Sequence, residues 1–148
     1  MTQQAEVPVT GIDQDKPAVE GVVRRMHDDF LKRRIEGRKA RFDDDCTIWD
    51  VFEPNLIVGK TEREAFHVRD KSQSVARGSL TLEVRDPIIT IHGDIAIARY
   101  YLDFAYQPPN AVAGVIRITC IMQRQSSGWK IIHHHEGLVP AGVPPVDE

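Results

Sequence analysis

Cysteine is scarce in this chain, with two in 148 residues, which excludes a disulfide framework and a multi-cysteine zinc cluster. Cys46 and Cys120 fall in different predicted strands without close spacing. They read as buried, reduced, structural thiols, with a disulfide left open because two strands can be neighbours. Aromatic residues are few (7%), the formal charge is −3, and no Lys/Arg cluster is interleaved with aromatics. The footprint of a nucleic-acid groove is therefore missing. No apolar run approaches the roughly 20 residues that cross a bilayer. The N-terminal Met-Thr-Gln-Gln-Ala-Glu lacks both a basic start and an apolar segment, so a cytoplasmic protein with no membrane contact is expected. The glycines are scattered through turns, and no Ser, His and Asp trio has a recognisable local context. Nucleotide-binding and hydrolase readings are set aside on those grounds.

What is present is an ordinary soluble composition, 41% hydrophobic and 28% charged, long enough for one core. Residues 1–15 read as a flexible leader, residues 16–138 as one domain and residues 139–148 as an extended, proline-rich tail. Asp15 can cap a helix whose first turn holds Pro17. Val19, Val22, Val23, Met26, Phe30 and Leu31 continue it at helical spacing to about residue 36, where Gly37 should break it before a short second turn over 38–42. Asp43, Asp44 and Asp45 should end that turn facing water. Residues 46–52 and 55–59 read as strands. Thr61 and Glu64 have capping-box spacing for a third helix over 62–75. Strands follow: one on Leu80, Leu82 and Val84, then long ones over 95–107 and 112–124, then one from Gly128. Helices first and a meander of strands after them give an α+β fold with the helices on one face of the sheet.

The last strand, Gly128-Trp-Lys-Ile-Ile-His-His-His-Glu-Gly137, carries the most chemistry. Period-two geometry puts Trp129, Ile131, His133 and His135 on one face and Lys130, Ile132 and His134 on the other. Two imidazoles on one face suit anion binding, proton movement or metal ligation. No second His pair accompanies them, so no metal site is assigned, and a polar pocket wall or a structural strand end stays open. His27 and His67 read as surface helix residues, and Trp129 as a core anchor.

Three pieces together resemble the nuclear transport factor two-like superfamily, in its SnoaL-like and ketosteroid-isomerase-like branch. These are the segment Asp43-Asp-Asp-Cys-Thr-Ile-Trp-Asp50, the helix start Gly59-Lys-Thr-Glu-Arg-Glu64, and the stretch from Arg117-Ile-Thr119 through the histidine strand. The resemblance implies a cone, with a curved and mainly antiparallel sheet wrapped around three helices, a pocket at one end, and a homodimer formed through the outer face of the sheet. It also implies a small-molecule pocket that works without a cofactor. Asp50 stands where steroid isomerases have their base. Their two oxyanion donors fall at Met26 and near Thr119, a departure from the family pattern.

Two functions follow from this resemblance. One is a cofactor-free isomerase, cyclase or dehydratase acting on a small, largely apolar carbonyl compound. The other is a non-catalytic ligand-binding or oligomerisation module similar to the association domain of calcium/calmodulin-dependent kinases. For the first, Asp50 and His135 are the expected catalytic residues. Met26, Phe30, Tyr100, Leu102, Phe104, Arg117, Thr119 and His133 are expected to bind the ligand. Asp50 also fits an ion pair with Arg117 or a turn cap.

Overall fold

The computed structural model describes residues 3–74 and 77–146. Three helices come first, α1 (Gln3–Leu31), α2 (Ile35–Arg41) and α3 (Gly59–Ser74), with β1 (Phe42–Trp49) and β2 (Ile57–Val58) between the last two. The strands β3 (Leu80–Val84), β4 (Ile88–His92), β5 (Ile95–Tyr106), β6 (Val112–Gln125) and β7 (Gly128–Leu138) follow. They form one sheet in the order β2-β1-β7-β6-β5-β3, with β4 also paired to β5. Every pairing is antiparallel except β1 with β7, which is parallel. The curved sheet holds the helices on its inner face, the expected cone.

The first helix is longer than its sequence signals suggest. It starts at Gln3, inside the expected leader, of which residues 1 and 2 lie outside the described residues, and Asp15 does not cap it. Asp15 is instead buried and pairs through both carboxylate oxygens with Arg124 of β6, whose guanidinium lies 4.5 Å from the centre of the Trp129 ring. An ion pair reaching across to the sheet thus holds the helix at Pro17, where the missing N–H removes one backbone bond.

The elbow between α1 and α2 also differs. The chain breaks at Arg33, which takes a left-handed φ of 57°, and Gly37 lies inside α2. Close packing explains this glycine. A Cβ at position 37 would stand 2.7 Å from Asp29 Oδ2, and that buried carboxylate accepts from Arg41 Nε at 2.9 Å and pairs with Arg41 Nη2 at 2.8 Å. Gly37→Ala should therefore destabilise the protein by about 1–3 kcal/mol, although alanine gains about 1 kcal/mol in an ordinary helix. Urea unfolding checks this, and a variant as stable as the wild type would show that the elbow yields freely.

The acidic run is not a helix end. Asp43, Asp44 and Asp45 lie within β1, where six residues of β1, from Phe42 to Thr47, pass against three of β7, from Ile131 to His133. The run bulges outward, leaving Asp44 and Asp45 exposed, while Asp43 accepts from Gln125 Nε2 at 2.8 Å. The third helix begins at Gly59, so Thr61 sits inside its first turn rather than capping it. Arg63, buried in that helix, donates to the Asp43 carbonyl at 3.1 Å over the Phe42 ring and so ties α3 to β1.

The faces of β5 match the expected alternation. Ala96, Ala98, Tyr100, Leu102, Phe104 and Tyr106 are buried on the inner face. On β6 the inner set is Ile116, Ile118, Cys120 and Met122. Cys46 and Cys120 are free and buried, separated by β7 in the sheet.

Candidate active site

One residue of β7 decides which histidine enters the cone. Met122 pairs with Ile131 while its neighbour Ile121 pairs with His133, so Ile132 is an extra residue, a β-bulge. A bulge shifts the side-chain phase by one position. Trp129 and Ile131 point inward before it, and His134 and Glu136 point inward after it. The expected face of Trp129, Ile131, His133 and His135 is thereby split.

His133 and His135 stand on the outer face, opposite Ile121 and Thr119. His133 Nδ1 bonds Thr47 Oγ1 at 2.7 Å, and His135 is exposed beside Trp49. Arg117 and Thr119 share that outer face, and Arg117 donates to the Leu138 carbonyl rather than to Asp50. Of the expected site residues, Arg117, Thr119, His133 and His135 are therefore outside the cavity, because β6 alternates and β7 changes phase.

The inner cavity, about 100 Å³, brings together Met26, Phe30, Leu102 and Phe104 from the expected set, with Asp50 among them. Tyr100 lies behind this wall, its hydroxyl 2.5 Å from His27 Nε2, and does not line it. His27 is buried rather than on the surface, and burial pushes it down to about 3, so it is neutral. Its helical spacing from Val23, four residues, was the available signal.

Asp50 follows the last residue of β1, so alternation turns it inward in line with Ile48. Its Oδ2 accepts from the Phe52 N–H at 2.9 Å, and its carboxyl is hydrogen-bonded to Glu136. Glu136 in turn accepts from His134 Nε2 at 3.0 Å and from the Val51 N–H at 3.2 Å. Burial first, and then the Glu136 charge, raise Asp50 to about 7. Burial is the largest single influence on Glu136 and opposes its ionisation, but the hydrogen bond and charge of His134, with His27 and the hydrogen bond to Asp50, together hold Glu136 low, at about 2. Two carboxyls thus share one proton, and Asp50 carries it below neutrality. Among the described residues no cluster of three or more potential ligands is placed to hold a metal.

At the far side of the cavity Arg38 donates to His67 Nε2 at 2.7 Å, with its guanidinium 4.7 Å from the centre of the Phe30 ring. Burial, and then the Arg38 charge, push His67 down to about 3, so it is a neutral acceptor and not a surface histidine. Phe30, Arg38, His67, Asp70, Leu80 and Tyr106 also line a larger outer space of about 750 Å³. The inner cavity and the outer space therefore share a boundary at Arg38.

The SnoaL-like domain model matches residues 19–141. The chain belongs to the SnoaL-like family. No curated protein matches this SnoaL-like chain. Among solved structures it is similar to an NTF2-like protein with a cystatin-like fold from Novosphingobium aromaticivorans, with a TM-score of 0.80, 12% identity, and coverage of 95% of this chain and 92% of that one. A ketosteroid isomerase-like protein from Erwinia carotovora atroseptica gives a TM-score of 0.68 at 15% identity, covering 84% of this chain and 95% of the other. The CaMKII hub of S. rosetta gives 0.67 at 18%, covering 83% and 95%. At these identities the likeness establishes the SnoaL-like fold and leaves its chemistry to the site.

Proposed function

We propose that this SnoaL-like domain moves a proton on a small, largely apolar carbonyl compound, with Asp50 as the base and then the acid. One observation carries this reading: a carboxyl raised to about 7 faces a largely apolar cavity while its partner, Glu136, stays ionised. A group that titrates near the working pH is available in both forms, the condition for efficient general acid–base catalysis.

In the step itself, a C–H bond beside the carbonyl breaks and its proton moves to the Asp50 carboxylate. The electron pair passes to the carbonyl oxygen as an enolate, and Asp50 then returns a proton to carbon. Glu136, fixed by His134 and the Val51 N–H, adds to the effect of burial in raising the proton affinity of Asp50. His134 takes the place expected for His135, as the imidazole that supports the acid–base pair. Met26 and Thr119 supply no donors to the enolate, since one is apolar and the other lies on the outer face.

The test uses 2-tetralone in D₂O, with α-proton loss followed by proton NMR. The wild type should accelerate exchange, with a rate that rises through an inflection near pH 7 as Asp50 loses its proton. Exchange no faster than buffer, or a rate flat from pH 5 to 9, would remove Asp50 from this role.

A further inference from the structure

Arg38 is a half-buried cation that, among the described residues, no carboxylate pairs with directly. Among those residues its Nε is buried without a hydrogen-bond partner, and its one side-chain partner, His67, is neutral. The charges of Asp70, Glu136, Asp50 and Asp29 reach Arg38 without pairing with it, and Asp50 is protonated below about 7. The other three are held elsewhere. Asp29 is held by Arg41, Asp70 pairs with Arg77 at 3.4 Å, and Glu136 is held by His134 and the Val51 N–H. Leaving a guanidinium half-desolvated with a single neutral acceptor is unfavourable unless a negative group joins it. The position is also fixed, because the tight contact at Gly37 and the Asp29–Arg41 pair hold α2 against α1.

We propose that Arg38 binds the carboxylate of an organic acid, so that the substrate class is a small oxo acid whose apolar body and carbonyl reach toward Asp50. This rests on reading the cavity as a substrate site. Arg38 and Asp50 line the same inner cavity, so one molecule touches both, and Arg38 also borders the outer space through which an acid enters. The Phe30 ring packs against the guanidinium at 4.7 Å, and a planar carboxylate suits the planar fork of an arginine. A neutral ketone leaves Arg38 as it stands. An acid supplies the missing charge.

The experiment compares 3-phenylpropanoate with its neutral isostere, 3-phenylpropanamide, by isothermal titration at pH 6, where Asp50 is protonated and does not repel the acid. The wild type should bind the acid at least tenfold more tightly than the amide, and Arg38→Gln should abolish that preference. Arg38→Lys, which keeps the charge without the planar fork, should restore part of it. Asp50→Asn should keep the preference in full, so a failed proton-transfer reading and a failed carboxylate site give different results. Equal binding of acid and amide by the wild type, no binding of the acid, or a preference that survives in a folded Arg38→Gln protein would each overturn the proposal. The wild-type comparison stands even if Arg38→Gln does not fold.

Discussion

Asp50→Asn is expected to lower the rate of proton exchange by about 10²- to 10⁴-fold while changing ligand affinity little. Asparagine keeps an oxygen able to accept from the Phe52 N–H and an amide able to donate to Glu136, so the local hydrogen bonds survive. Only the basic oxygen is lost, and a base acts mainly in the transition state. Glu136→Gln makes a second, different change: it removes the charge that helps to raise Asp50, so the inflection near pH 7 should move to lower pH while exchange persists. Single-turnover exchange with separately measured binding distinguishes the cases. A tenfold or greater loss of affinity in Asp50→Asn with an unchanged exchange rate would make Asp50 a binding residue. An inflection unmoved in Glu136→Gln would mean that burial alone sets it.

The part of α1 from Val19 to Met26 and the inward face of β5 were legible because each obeys one period throughout. Val19, Val23 and Met26 repeat at helical spacing, and Ala96 to Tyr106 alternate without interruption. Asp50 was legible for the same reason, since β1 keeps its alternation from Ile48 onward. The imidazole was not. Nothing in Lys-Ile-Ile-His-His-His marks Ile132 as the extra residue, because the bulge is decided by pairing with Met122 and Ile121, which are distant in sequence. A single inserted position moved His133 and His135 to one side and His134 with Glu136 to the other, while Arg117 and Thr119 face outward because β6 alternates without a break. Arg38 escaped notice for a related reason. Its significance lies in what it lacks, an ion pair, and only the packing around Asp29, Asp70 and Glu136 shows that these carboxylates are taken.

Asp50→Asn should also stabilise the protein above neutral pH, by about 1–2 kcal/mol, which corresponds to a melting temperature roughly 2–8 °C above that of the wild type at pH 8. The sign follows from the direction of the shift. The pKa of Asp50 is higher in the folded state, about 7, than its ordinary value of 3.8. Its favourable contribution is complete below 3.8 and is lost as pH rises through about 7, where the carboxylate ionises in a cavity beside the charge of Glu136. At about 1.4 kcal/mol per pH unit that rise amounts to roughly 4 kcal/mol for a group cut off from water, and the partial exposure of Asp50 at the cavity reduces it to the smaller figure. Glu136 runs the other way: its folded value, about 2, lies below 4.5, so its contribution is present above 4.5 and is lost as pH falls toward 2. Thermal melts between pH 5 and 8 therefore isolate Asp50. The wild type should lose stability relative to Asp50→Asn across that window, and the two curves should draw together as pH falls from 7 toward 3.8. An inactive variant that is more stable than its parent marks a carboxylate held at a thermodynamic disadvantage, as a poised base is. A wild type that gains stability relative to Asp50→Asn as pH rises would show instead that the Asp50 carboxylate is paired with a cation, and the proton shared with Glu136 would have to be abandoned.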